Sequence, residues 1–63
     1  MEDRPITFTI TQESDSIRIY TKDGRVAEGN REVRTESNLL LSMMVFIAGT
    51  LNNAGFAVLF EVD

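Results

Sequence analysis

The chain contains neither cysteine nor histidine. Without cysteine it forms no disulfide and has no thiol nucleophile. Without histidine it lacks the commonest general base and the usual nitrogen ligand of zinc. The remaining hydroxyl, carboxylate and amine side chains stand in no recognisable catalytic spacing. We therefore predict that the chain is not an enzyme and that it uses no cofactor and no metal.

Positive charge is scarce and unevenly placed. Six Lys and Arg residues stand against ten Asp and Glu, which gives a formal net charge of −4 at pH 7. From Thr35 onward the charged residues are acids only. Sequence-independent binding of nucleic acid depends on many Lys or Arg contacts to phosphate, so the composition argues against it. Mimicry of nucleic acid by the acids is a weaker option, because they are spread along the chain.

Long hydrophobic runs are also missing. The most apolar stretch, residues 39–49, is about half as long as the roughly 20 residues that cross a membrane. The N-terminus begins with two acids within three residues, which is unlike a signal peptide. We predict no membrane association and a cytoplasmic location.

The length of 63 residues predicts one domain spanning residues 1–63. Domains of this size are marginally stable alone and are usually reinforced by disulfides, structural metals or oligomerisation. Since the first two are unsupported by the composition, oligomerisation is the reinforcement that we predict.

A helix is predicted over residues 36–53, and its apolar arc is unusually wide. On a helical wheel the arc covers about 260°, whereas a helix on a single sheet needs little more than about 100°. Burial of each large apolar side chain contributes about 1.5–3 kcal/mol, so four left exposed forfeit about 6–12 kcal/mol. A core of this size yields only about 3–5 kcal/mol net. We therefore predict a second copy over the outer side of the helix, most simply as a two-fold homodimer.

Alternation of apolar and polar residues predicts the first two strands. Residues 6–11 place Ile6, Phe8 and Ile10 inward, and residues 16–22 place Ile17 and Ile19 inward. Asp23-Gly24 then favours a two-residue type I′ turn. A short charged edge strand is predicted at residues 25–28, with Glu28 on the core face. Residues 31–34 are compatible with an extended link or with a continuation of that strand after a bulge, and Val33 is predicted to lie under the helix.

The helix has recognisable end signals. Thr35 is the predicted N-cap, with Glu36 in the first turn, where the helix dipole favours an acid. Gly55 followed by Phe56 is typical of a Schellman ending. A last strand, residues 56–62, is apolar except at Glu61, so we expect both of its faces to be covered.

These elements predict an α+β fold in the order β-β-β-α-β. The preferred sheet order is 3-2-1-4, a mixed sheet with strands 1 and 4 parallel and the single helix packed on one face. Strand 4 would then be an apolar edge and a second route to oligomerisation. The interface is predicted through the outer face of the helix or strand 4, at Leu39, Leu41, Ser42, Val45, Phe46, Gly49 and Phe60. Ser42 and Gly49 form a small-residue stripe that is either a helix–helix contact line or the solvent side.

One group of residues suggests a ligand. A helix N-terminus offers free N–H groups to anions, and arginine binds phosphate or carboxylate in a bidentate manner. The candidate anion-binding residues are Arg25, Arg31, Arg34, Thr35, Ser37 and Asn38. The competing interpretation is that the arginines at 31 and 34 form surface ion pairs with Glu28, Glu32 and Glu36.

Two further features have ordinary interpretations that we prefer. The carboxylate pairs Glu13/Asp15 and Glu61/Asp63 suit Mg²⁺ or Ca²⁺ in principle, but a solvated turn and a chain end explain them. Tyr20 and Arg18, on the outer sheet face beside three threonines, suit protein contact, but an ordinary solvated face explains them too.

The functional hypothesis is a non-enzymatic, homo-oligomeric protein-interaction domain, a regulator or inhibitor that acts by binding a partner protein. The alternative is a binder of a small anionic ligand or nucleotide, with its site near the helix N-terminus between subunits.

Overall fold

A computed structural model describes residues 4–26 and 31–63. The strands are β1 (Ile6–Gln12), β2 (Ile17–Thr21), β3 (Arg31–Thr35) and β4 (Val58–Val62), and a 3₁₀ turn (Ser37–Leu39) leads into helix α1 (Leu40–Asn53). They form one sheet in the order β3-β2-β1-β4. β4 runs parallel to β1, whereas the other neighbouring pairs are antiparallel. The predicted α+β fold and strand order are confirmed.

The core lies between one face of the sheet and α1. Period-two alternation places Ile6, Phe8 and Ile10 of β1 on this face, where all three are buried. Ile17 and Ile19 of β2 are buried beside them. The core is completed by the buried residues Val26 and Ile47 and by the partly buried residues Leu40, Met43, Met44, Leu51, Phe56, Val58 and Phe60.

The prediction of a strand at residues 25–28 was wrong at Arg25 and Val26, whereas residues 31–34, predicted as an extended link or a strand continuation, form a strand. Arg25 and Val26 lie in a turn and bend after β2, and the third strand is β3, which begins at Arg31. Gly24 does not have the positive φ that a type I′ turn requires. Instead, Asp23 Oδ1 accepts a hydrogen bond from the backbone N–H of Arg25 at 2.9 Å, and this side-chain turn sends the chain away from β2. Glu28 lies outside the described residues.

The N-terminus of the helix also differs from the prediction. Thr35 is the last residue of β3 and pairs with Ile17, so its backbone is committed to the sheet. Glu36 is extended and precedes the 3₁₀ turn, and Leu39 occupies the N-cap of α1. Neither of these cap residues makes a side-chain capping hydrogen bond. The predicted N-cap role of Thr35 and first-turn position of Glu36 are therefore wrong.

The C-terminus of α1 is the predicted Schellman motif. Gly55 has φ of 95°, the one positive value among the described residues. The N–H of Phe56 donates to the carbonyl of Leu51 at 2.9 Å, and that of Gly55 donates to Asn52 at 3.0 Å. These two bonds satisfy carbonyls that the helix end would otherwise leave unpaired.

β4 is less covered than its sequence predicts. Phe60 stacks on Phe8 with 5.7 Å between ring centroids, on the core face. Leu59, on the opposite face, is half exposed, and Val62 is 81% exposed at the end of the strand. The expectation that both faces are covered is therefore wrong for the single chain.

Candidate interaction surface

Helix α1 presents large apolar side chains to solvent. Leu41 is 72% exposed, Phe46 68% and Val45 64%, and Leu39 at the preceding turn is nearly half exposed. Ile47 is the one buried residue of the helix. The sheet therefore covers one side of an element that is apolar on most sides, as the width of its apolar arc predicts.

The two sides of α1 next to its buried face, here called flanks, face different parts of the sheet. At about 100° per residue, Phe46 lies on one side of Ile47, and Leu41 and Ala48 lie on the other. The flank of Phe46 faces β3, since it borders an apolar cavity of about 240 Å³ lined by Phe8, Val26, Val33, Met43, Phe46, Ile47, Thr50 and Leu51. The opposite flank therefore overlooks β4. We call Leu41, Met44, Val45 and Ala48 the β4 flank.

The backbone of β4 is paired on one side only. The carbonyl of Ala57 accepts from the N–H of Ile6, and the N–H of Asp63 donates to the carbonyl of Ile10. Successive residues of a strand direct these groups to opposite sides, so residues 57, 59, 61 and 63 bond to β1. The N–H and C=O groups of Val58, Phe60 and Val62 therefore point away from β1. No described strand lies on that side of β4.

The six residues predicted to bind an anion are not brought together. Thr35 pairs with Ile17 at the end of the sheet where the helix begins. Arg25 lies at the other end, where its guanidinium donates to the carbonyls of Arg4 at 2.8 Å and Pro5 at 3.0 Å. The seven residues of β1 separate these ends by roughly 20 Å. Arg31 pairs with Thr21, also towards the end of the sheet away from the helix start, whereas the exposed residues Ser37 and Asn38 lie in the 3₁₀ turn.

Arg25 instead fastens the turn after β2 to the start of β1. Besides the two carbonyls, it donates from Nε to Asp23 Oδ1 at 3.0 Å and from Nη2 to Oδ2 at 2.7 Å. The side-chain and backbone hydrogen bonds from Arg25 lower the pKa of the Asp23 carboxyl from 3.8 to about 2, and the charges of Arg25 and Arg4 act in the same direction. The arrangement indicates a structural clasp.

Arg34 lies on the outer face of the sheet, within a group of ion pairs. It donates to Glu13 and lies 3.7 Å from Glu32. Arg18, its neighbour across the β2–β3 pair, stacks over the Tyr20 ring at 4.5 Å and approaches Glu32 at 3.2 Å without hydrogen-bond geometry. Arg34 therefore forms an ion pair with one of the predicted acids, Glu32, and with an unpredicted one, Glu13.

The outer face also carries a shallow polar depression of about 520 Å³. It is lined by Arg4, Pro5, Thr7, Thr9, Tyr20, Lys22, Asp23, Gly24 and Glu61. Charges of both signs line this open surface. It has no single electrostatic character that would select a ligand.

The carboxylate pairs do not join into larger groups. Over residues 4–26 and 31–63, no three acidic side chains come close enough to hold a metal ion. Asp63 is instead within 3.5 Å of the Thr11 hydroxyl, at the end of β4.

Thr21 is a further site that the sequence did not indicate. Its hydroxyl is buried on the core face, donates to the carbonyl of Thr7 at 2.8 Å and accepts from the N–H of Asp23 at 3.1 Å. Alternation along β2 places Thr21 inward, which is the only signal that was available.

No helix in the described part of the chain is long and apolar enough to cross a membrane. Comparison with protein-family models, curated proteins and solved structures finds no match. Any functional conclusion therefore depends on the surfaces described above.

Proposed function

We propose that this chain is a self-associating protein-interaction domain that acts by binding a partner protein and not by catalysis. The observation that supports the proposal is the apolar outer side of α1. Leu41, Val45 and Phe46 are each more than three-fifths exposed on one short helix. Large apolar side chains exposed together on one element are typical of protein–protein contact sites.

The free energy gained by burying exposed apolar side chains favours a second copy of the chain as the first partner. Leu39, Leu41, Val45 and Phe46 are 47–72% exposed, so covering them contributes the exposed share of about 1.5–3 kcal/mol each, or about 4–7 kcal/mol together. That gain is comparable with the whole net stability expected of a core this small, about 3–5 kcal/mol. A two-fold dimer provides it without another gene product, because the same apolar surface covers itself. A cytoplasmic location and a regulatory or inhibitory role remain predictions.

Sedimentation velocity tests the proposal. The concentration series should run from about 1 µM to 1 mM, which brackets ordinary dimer affinities. We expect a folded dimer at the upper end and a shift towards monomer for Leu41→Asp, because a carboxylate cannot be buried in an apolar interface without a large desolvation cost. Leu41 is exposed in the single chain, so the variant should keep its circular dichroism spectrum.

Asn38→Asp is the matched control. It adds the same charge near the same end of the helix, at an exposed polar residue in the 3₁₀ turn before α1. It should leave the association constant nearly unchanged. A wild-type chain that remains a folded monomer at every concentration would overturn the proposal.

A further inference from the structure

The free edge of β4 is self-complementary. Val58, Phe60 and Val62 each direct one N–H and one C=O away from β1. If a second copy pairs antiparallel with Phe60 opposite Phe60, then Val58 lies opposite Val62 in both directions. Every outward N–H and C=O of the strand then has a partner, which gives six hydrogen bonds from three residues in each copy.

The charges on the strand favour this register. On the outer face it places Leu59 opposite Glu61 of the second copy, and Asp63 opposite Ala57. A register centred on Glu61 would instead place two glutamates directly opposite each other, which is destabilising. A register centred on Leu59 pairs fewer residues of the five-residue strand. Pairing about Phe60 is therefore the most favourable arrangement of this edge.

The helix is placed to reinforce the same seam. α1 contacts β4, and the β4 flank of the helix is apolar. The two-fold axis of this register stands perpendicular to the sheet, so both helices lie on the same face with their β4 flanks directed towards the seam.

We propose that two copies of this chain join edge to edge through antiparallel pairing of β4 about Phe60. The product is a continuous eight-stranded sheet made of two four-stranded sheets, with both helices on one face and their β4 flanks directed towards each other. The proposal rests on the proposed self-association and assigns it to β4 and the β4 flank; this seam covers Leu41 and Val45 and leaves Phe46, on the side of the helix that faces β3, exposed. Pairing also removes the exposed apolar edge that would otherwise invite aggregation.

Amide hydrogen exchange measured by NMR tests the backbone pairing. The amides of Val58, Phe60 and Val62 should exchange fast in dilute solution and become protected in proportion to the dimer fraction measured by sedimentation. The amides of Leu59 and Glu61 bond to β1 within one copy, so they should already be protected in the monomer. They serve as the internal control.

Substitution of Leu59 by residues of opposite charge tests the register. Lys at position 59 would lie opposite Glu61 of the second copy and should tighten the dimer, whereas Glu should weaken it. By symmetry, each substitution changes two cross-strand pairs between positions 59 and 61. Each substitution should therefore alter the dissociation constant about twofold to thirtyfold relative to Leu59→Gln. Ser14→Lys and Ser14→Glu make the same net-charge changes at an exposed turn. The dissociation constants of these two variants should not differ in the same way.

The outcomes separate this proposal from the proposed function. A dimer whose Val58, Phe60 and Val62 amides stay unprotected, or whose affinity is the same with Lys or Glu at position 59, would overturn the β4 seam and leave self-association intact. A monomer at every concentration would overturn both. The seam would be established by concentration-dependent protection of the three amides together with a tighter dimer for Lys than for Glu at position 59.

Discussion

At the residue scale, Thr21 shows how one polar group is accommodated in an otherwise apolar core. Its side chain is 2% exposed, between the carbonyl of Thr7 on β1 and the N–H of Asp23 in the following turn. A buried hydroxyl without partners is costly, whereas this one is satisfied as donor and as acceptor. Thr21 therefore joins β2, β1 and the turn at one point.

Replacing Thr21 by Val keeps the shape of the side chain but removes both hydrogen bonds. Two backbone groups lose their partner, so we expect the free energy of unfolding to fall by about 1–3 kcal/mol. Thr21→Ser keeps the hydroxyl and loses one methyl group, which costs about 0.8 kcal/mol of burial. Urea unfolding of the two variants measures the difference. A Val variant at least as stable as the Ser variant would contradict this account of Thr21.

Asp23 predicts a specific dependence of stability on pH. Its carboxyl has a pKa of about 2 in the folded chain, against an ordinary value of 3.8, because Arg25 hydrogen-bonds to the ionised form. A lowered pKa stabilises the fold at pH values above about 4, and this contribution is lost as the pH falls towards 2. Asp23→Asn should therefore be less stable than the wild type at pH 7, with the gap narrowing below pH 4.

Urea titrations of both proteins at several pH values measure that gap. The other acidic residues are present in both proteins, so their contributions to the pH dependence cancel in the difference. A difference in unfolding free energy that stays constant from pH 7 to pH 2 would show that the Arg25 clasp does not act through the charge of Asp23.

At the element scale, much of the fold follows from local patterns. Alternation located β1 and β2, and the Gly55-Phe56 pair identified the end of the helix together with its hydrogen bonds. The length of the helix then limited the strand order, because about 1.5 Å of rise per residue carries the chain across the sheet. These features depend on neighbours in sequence, which is why the sequence alone predicts them.

The sequence left β3 open between an extended link and a strand, because residues 31–34 carry little apolar pattern. Val33 is the one large apolar residue of the strand, and Glu32 and Arg34 form ion pairs on the outer face. The Asp23-Gly24 pair is typical of a tight hairpin, but the contact of Asp23 with Arg25 selects another turn. A side-chain contact of this kind is specific to one pair of residues, and general turn preferences do not include it.

Alanine substitution at Gly49, within α1, and at Gly55, just after it, should change the stability of the fold in opposite directions. At both positions an added Cβ meets no atom within 4 Å, so only the backbone decides. Gly55→Ala forces a positive φ on a residue with a side chain and should destabilise the fold by about 1–2 kcal/mol. Gly49→Ala lies inside α1 and should stabilise it by about 0.5–1 kcal/mol.

Thermal or urea unfolding of the monomeric protein measures both glycine variants. Equal effects at the two positions would contradict the conformational explanation. If Gly49 also lies on a helix–helix contact line, as the sequence suggested, Gly49→Ala should raise fold stability while weakening association, and sedimentation would separate the two effects.

At the scale of the whole molecule, the sequence predicted the excess of apolar surface but not its geometry. The wheel of α1 shows that one sheet cannot cover Leu41, Val45 and Phe46 together. Which flank overlooks β4, and which backbone groups of β4 remain free, depends on the pairing of β4 with β1. That pairing joins residues about fifty positions apart, so no local pattern contains it. The scattered anion-site residues failed to assemble for the same reason.

Between Glu36 and Glu61 no side chain carries a charge, so α1 and most of β4 form a surface without ionic contacts. Added sodium chloride has no ion pair to screen across such a surface. Apolar association also weakens on cooling. We therefore expect the dissociation constant to change little between low and high salt but to rise between 25 °C and 4 °C, as sedimentation at both temperatures would show. Chromatography in a cold room would then understate the assembled fraction present at growth temperature, and strong loss of the dimer in salt would contradict a seam without ion pairs.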